Sequence, residues 1–249
     1  MKTTLSVLAC IVASTMVPAS SFGVDATSVP KPPQKQPVKP AEWNVWVEVL
    51  MVAMPQEKAI ALLPDLRNPD KVDSAVTQIF SAIERKEATI TGWPAAYTLD
   101  GVRCVAEAIF EKRYPTEFEP PQTPQNLASS QPSDLKPVTS DFPIPSSFET
   151  RNIGATLEVQ PSVLPGGEWI KLEMVPQRVG LLGFDSYEAV KSKSGKVLKI
   201  DQPQFHTAKT SGTFMVRNNQ WNLVAIHKPV QPENQIELFI ARATATAIK

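Results

Sequence analysis

With 249 residues the chain has room for one large domain or two small ones, and a hydrophobic content of 42% excludes a disordered protein. Acidic and basic residues balance at 25 each, so no global basic field exists to hold nucleic acid. The 24 prolines are many for this length and gather in two stretches.

Lys2, the apolar run Leu5–Val17 and the small residues around Ala19-Ser20-Ser21-Phe22-Gly23 predict a secretory signal over residues 1–23, cut after Ala19 or Gly23. The run is short for a membrane anchor. Cys10 would be the acylated residue of a lipoprotein, but Val7-Leu8-Ala9-Cys10 fits that box poorly and precedes the end of the apolar run. Cleavage would leave Cys104 alone, without a partner for an internal disulfide. Its place in the alternation Val102, Cys104, Ala106, Ala108, Phe110 reads as a small buried apolar residue, not a reactive thiol. No later apolar stretch is long enough for a membrane helix, so any membrane contact is expected through β-structure or at the surface.

Residues 24–42, with VPKPPQKQPVKP, read as an extended Pro/Lys-rich linker. Val45–Val52 is apolar at nearly every position, the mark of a strand buried on both faces. Pro55–Lys58 opens a short helix bearing Ala59, Ile60, Leu62 and Leu63, expected to stop near Pro64. Asn68, Pro69 and Asp70 are placed to start a second helix. Along it Val72, Ala75, Val76, Ile79, Phe80 and Ile83 form one apolar stripe. Ala88–Trp93 and Gly101–Arg113 read as two strands joined by a turn near Asp100-Gly101. From Pro115 to about Ser147 runs a long insertion rich in Pro, Ser, Thr and Gln.

Next comes the clearest pattern. Ala155, Leu157 and Val159 alternate with Thr156, Glu158 and Gln160; Ile170, Leu172 and Met174 alternate with Lys171 and Glu173. Pro165-Gly166-Gly167 lets the chain reverse between them. Val179–Ala189 reads as a strand end or lip, and Lys191–Lys199 as an exposed tip around Ser194-Gly195. Gln204–Arg217 and Gln220–His227 predict a hairpin across Asn218-Asn219, and Gln235–Ile248 a long terminal strand.

Catalytic sets are absent. His206 and His227 are the only histidines, and no G-x-S-x-G, P-loop or G-x-G-x-x-G occurs. His206 beside Asp201 and Thr207 reads as a solvated or strand-edge histidine. Asp65, Asp70 and Asp73 stand at helix starts, where the dipole favours carboxylates. Trp93, Trp169 and Trp221 are open to core packing, sugar stacking or a membrane interface. No enzyme, metal or cofactor is expected.

The stretch Phe148–Pro176 resembles the core of the bacterial secretin homology domain: Gly154, Leu157, Val159 and Pro161 as G-x-x-L-x-V-x-P, the turn at Gly166-Gly167, then I-x-L-x-x-x-P ending at Pro176. Around the insertion, Tyr114-Pro115-Thr116-Glu117 and the F-x-x-R-x-x-G of Phe148–Gly154 look like secretin segments, as do Pro203-x-Phe205 and the closing Glu237–Ile240. The resemblance runs from Trp43 to the C-terminus. There are two departures. Ala225-Ile226-His227-Lys228-Pro229 lacks the family's Gly-Gly-Leu turn, and the ring domains that precede the secretin domain in full-length members are not expected within this length, so the resemblance implies a stand-alone or divergent member.

The resemblance implies an α+β, mainly β fold: an antiparallel, sandwich-like core over residues 43–249, one amphipathic helix packed on it, and a Pro-rich loop at about 115–147. It requires Val45–Val52 and Ala155–Val175 to share a connected sheet system. It implies an exported, non-enzymatic component of a type IV pilus or type II secretion apparatus, in the periplasm, outer membrane or cell surface. Protein partners of that machinery, self-association and outer-membrane contact are expected, and nucleic acid is not. The alternatives are a small oligomeric outer-membrane pore, and an immunoglobulin-like binding module.

Overall fold

Strand β1 (Trp43–Pro55) organises the first half of the molecule. Val45, Val47, Val49, Leu50, Met51 and Val52 are all inaccessible to solvent, which explains a run with no polar alternation. The structure is a computed structural model and describes residues 43–119, 143–191 and 197–248. The expected signal segment, the linker, the middle of the insertion and the Ser194-Gly195 tip lie outside the described residues.

β1 pairs along its whole length with β10 (Gln235–Ala247), from Trp43 opposite Ala247 to Pro55 opposite Gln235. β10 pairs in turn with β9 (Trp221–His227). On the other side of β1 lie β2 (Thr89–Gly92) and β3 (Ala95–Leu99), completing a five-stranded antiparallel sheet. The two faces of β1 serve different layers. Leu50, Val52 and Met54, with Ile236, Leu238 and Ile240, pack under α1 (Gln56–Leu66) and α2 (Val72–Glu84). Val45, Val47, Val49 and Met51, with Phe239, Ala241 and Ala243, face the second sheet.

That second sheet runs in the order β4 (Cys104–Glu119), β5 (Ile144–Val163), β6 (Trp169–Lys191), β7 (Val197–Lys209), with β8 (Gly212–Arg217) also paired to β6. Ala155, Leu157, Val159, Ile170, Leu172 and Met174 are its buried inner row, as the alternation predicts. Each fully buried aliphatic side chain contributes about 1.5–3 kcal/mol. Helices, sheet and sheet thus form three layers around two cores. The fold is α+β and mainly β. The expectation that Val45–Val52 and Ala155–Val175 share a connected sheet system is corrected: they lie in different sheets with no strand pairing between them among the described residues, and meet only through the apolar core between their inner faces.

Several local expectations are corrected. Two helices, not one, pack on the first sheet. α1 runs through Pro64 to Leu66, because burial of Leu66 anchors a last turn that lacks one backbone donor. α2 starts at Val72, since Asn68 Oδ1 accepts from the Asp70 N–H at 2.9 Å and closes a turn ahead of the helix. β3 was not legible as a strand. Trp93-Pro94 breaks the chain between β2 and β3, yet the Pro94 carbonyl still accepts from Val49 N–H at 3.0 Å. The 115–147 loop is shorter than expected at both ends: Pro115 is inside β4, opposite Phe148.

The Asn218-Asn219 turn is no hairpin. β8 pairs with β6 and β9 with β10, so the chain turns a corner between sheets there, with Asn219 at φ 60°. Asn218 ties the corner down, accepting from Ala245 N–H at 2.9 Å and donating to Gly167 O at 2.9 Å. Without the glycine turn, β9 and β10 are joined by residues 228–234 instead of a tight reversal.

Gly166 (φ 93°) and Gly167 (φ 73°) make the β5–β6 turn. A Cβ on Gly167 would come within 2.7 Å of the Trp43 ring. Gly167→Ala is therefore expected to lower stability by about 1–2 kcal/mol, against little change for Gly183→Ala, where nothing lies within 4 Å. Urea denaturation followed by tryptophan fluorescence checks this.

Candidate functional site

The second sheet is four strands wide only near the core. Pairing of β5 with β6 ends at Gly154 opposite Val179, whereas β4–β5 pairing continues to Glu119–Ile144 and β6–β7 pairing to Lys191–Val197. The sheet forks there into two ribbons of about ten residues per strand. At 3.3–3.4 Å per residue each extends roughly 33 Å.

Gly154 stands at the fork with φ 136°, and a Cβ on it would fall inside the Ala108 carbonyl oxygen. On β6 the ladder is shifted between Leu181 and Gly183, which adds twist. One ribbon lies across the other. Tyr114 and Phe205 rings stand 5.7 Å apart, Gln202 Nε2 donates to Pro115 O at 3.0 Å, and Arg151 donates to Thr207 Oγ1 at 3.3 Å. Lys112 Nζ sits 5.3 Å above the Phe184 ring.

This crossing is thin, and large apolar side chains stay in solvent: Phe110 at 65%, Phe184 at 48% and Tyr187 at 58%, with Ile109, Phe148, Leu181 and Leu182 also exposed. Scattered exposed apolar residues are ordinary; here they gather on two ribbons whose outer backbone edges are unpaired among the described residues. Glu149 accepts a 3.0 Å bond from the Tyr114 hydroxyl and pushes that phenol above its ordinary range.

The motif residues separate into three places. Tyr114, Pro115, Pro203 and Phe205 lie on the ribbons, where Tyr114 meets Phe205 and Pro115 meets Gln202. Gly154 marks the fork, and Leu157, Val159, Pro161 and Pro176 are buried below it, with Leu157 opposite Pro176. Gly166 and Gly167 form the far turn against Trp43.

Neither histidine is a solvated bystander. His206 lies on the outer strand β7, but its Nε2 is buried without a hydrogen-bond partner among the described residues. His227 Nε2 is 3.0 Å from Thr210 Oγ1. Asp201 does not join His206; it pairs with Ser186 on the ribbon. The acidic neighbour is Glu237, which lies between packed sheets and not in a cleft. Sequence reasoning named Glu237 only as part of the closing strand and missed its pairing with Arg178; the signal was a carboxylate inside the apolar run Ile236–Ile240.

Among the described residues, hollows of about 300, 410 and 450 Å³ open on the surface, and neither histidine lines these. No group of three or more metal-ligating side chains occurs among the described residues. Cys104 is half-buried, and burial pushes its thiol up, away from the nucleophilic thiolate. Trp221 is buried beneath Arg242, Trp93 donates to Glu48 Oε2 at 3.0 Å, and Trp169 lies under Arg217. No helix among the described residues is long and apolar enough to cross a membrane.

No protein-family model matches the chain, and no curated protein does. Among solved structures it is similar to ExeD of Aeromonas hydrophila, at 10% identity and TM-score 0.39 over 83% of this chain and 49% of that one. It is similar to the Salmonella type III secretion injectisome secretin InvG, at 10% identity and TM-score 0.37 over 83% of this chain and 64% of that one. It is also similar to the type II secretion secretin XcpQ of Pseudomonas aeruginosa, at 11% identity and TM-score 0.38 over 85% of this chain and 61% of that one. The chain spans about half to under two-thirds of the length of these chains.

Proposed function

We propose that this chain is an exported, non-enzymatic component of the cell envelope, structural or accessory to a type IV pilus or type II secretion apparatus. Its working surface is the pair of ribbons, which take strands of other subunits, copies of itself included. The observation that supports this most is the fork at Gly154–Val179. Among the described residues it leaves four strand edges unpaired and a set of apolar side chains exposed. Three of the segments that resemble secretin motifs fall on those same ribbons: Tyr114-Pro115 on β4, Phe148–Gly154 on β5 and Pro203-x-Phe205 on β7. Periplasm, outer membrane or cell surface is the place for such a surface, and nucleic acid has no part in it.

A small outer-membrane pore is the second reading. Strands of about ten residues, roughly the 9–11 needed for a tilted membrane crossing, favour it. An immunoglobulin-like module, the third, predicts a closed sandwich; the ribbons and the helical layer depart from that.

Size-exclusion chromatography with light scattering on the exported protein, with and without detergent, tests the proposal. Oligomers are expected, and Phe110→Ser with Phe184→Ser should weaken them at least tenfold in concentration. Stability should fall by no more than about 1 kcal/mol, because Phe110 is largely exposed and Phe184 loses only the contact with Lys112. A monomer under every condition refutes the assembly reading. A heat-resistant oligomer that needs detergent selects the pore.

A further inference from the structure

At the root of the ribbons the two sheets meet on polar groups instead of hydrocarbon. Glu237 of β10 is 1% exposed. Thr91 of β2 donates to its Oε1 at 2.5 Å, and Arg178 of β6 reaches the same oxygen at 3.5 Å from the opposite sheet. The Arg178 guanidinium lies over Gly180, where a Cβ would come within 3.0 Å of it, and Gly180 is the cross-strand neighbour of His206. His227 stands opposite Glu237 in the β9–β10 ladder and packs edge-on against Phe239 at 4.7 Å.

Charge balances only while both imidazoles are neutral, with Arg178 against Glu237. The other cations nearby are turned elsewhere: Lys228 donates to Gln56 Oε1 at 2.9 Å, Arg151 to Thr207, and Lys209 is exposed. We propose that His206, His227, Glu237 and Arg178 form an acid-sensitive latch between the sheets: proton uptake by the two histidines sets three positive charges around one carboxylate and parts the sheets at the root of the ribbons. His206 Nε2 is buried without a hydrogen-bond partner among the described residues, so the closed latch leaves one polar atom of the cluster unsatisfied. The consequence for the ribbons, freedom to swing about the fork, rests on reading them as the working surface; the latch itself does not.

Burial holds His227 below its ordinary value of 6.5; Glu237 opposes that shift, and His206 adds to it. The unfolded or opened chain therefore takes the proton first. The stability that His227 contributes is complete above pH 6.5 and is lost progressively as pH falls through and below that value.

Amide hydrogen exchange on the exported protein at about pH 7.5 and 5.5, corrected for intrinsic rates, reads the latch directly. In the natural protein, β7 and β9 amides near His206 and His227 should lose protection on acidification relative to α2 amides, by more than about twofold and by at most about tenfold from His227. In the His206→Gln, His227→Gln double variant the ratio should change by less than about twofold. An equal pH response in both proteins, or none in the natural one, overturns the latch. If the double variant does not fold, the imidazole C–H resonances of the natural protein decide. A His227 midpoint below 6.5 that coincides with the loss of protection supports it, and one at or above 6.5 overturns it. Light scattering on the same samples separates the two ideas. A pH response in a protein that never assembles strikes the assembly reading and leaves the latch standing.

Discussion

Gly154→Ala should destabilise the protein by about 3 kcal/mol or more, the largest effect expected of any added methyl group. Two causes combine. The φ of 136° is one that residues with a Cβ rarely adopt, and the new carbon would overlap the Ala108 carbonyl oxygen. That oxygen is main chain. It can retreat only by opening the β4–β5 ladder where Ile109 stands opposite Gly154. The damage falls at the fork, so the ribbons should lose protection from exchange before the sandwich does. Urea denaturation by fluorescence, with Gly183→Ala as the unhindered control, measures the effect. A midpoint equal to the natural protein's would show that the fork does not depend on this glycine.

Arg242→Met is expected to cost about 2–4 kcal/mol, the range for stranding one member of a buried ion pair, lowered here because the arginine is one-third exposed. Glu48 is buried at 5% exposure, and Arg242 serves it through Nε at 2.8 Å and Nη2 at 2.6 Å. Trp93 Nε1 alone would remain to hold the carboxylate. The arginine also covers the Trp221 ring at 4.5 Å, so part of the loss is packing. Adding Glu48→Gln removes the stranded charge and should recover at least half of the deficit. If the double variant is no more stable than Arg242→Met alone, stranding of Glu48 is not the cause.

What could be read from the sequence follows from how local each signal is. The period-2 rows of β5 and β6 and the continuous run of β1 report burial on one face and on two, and both read correctly. The Gly166-Gly167 turn was equally plain, because left-handed φ leaves few residue choices. Strand partnership was not local. Asn218-Asn219 has the chemistry of a hairpin turn, but nothing in Thr213–Ile226 says that β8 and β9 belong to different sheets. Nor does Ala95–Leu99 carry an alternation that distinguishes a five-residue strand from a loop. The motif glycine at 154 was legible, and the reason for it was not. The fork exists only once β5 and β6 have parted. The polar latch was hidden for the same cause: Glu237, Arg178, His206 and His227 are far apart along the chain and meet only through sheet packing.

The parting of β5 from β6 divides the molecule into halves governed by different laws. Below Gly154 and Val179, side chains fill one another's gaps within a single chain, and dilution leaves that half untouched. Above them, rows of amides and carbonyls stand unpaired among the described residues, so on the proposed reading the order of that half rises with the number of suitable neighbours at hand.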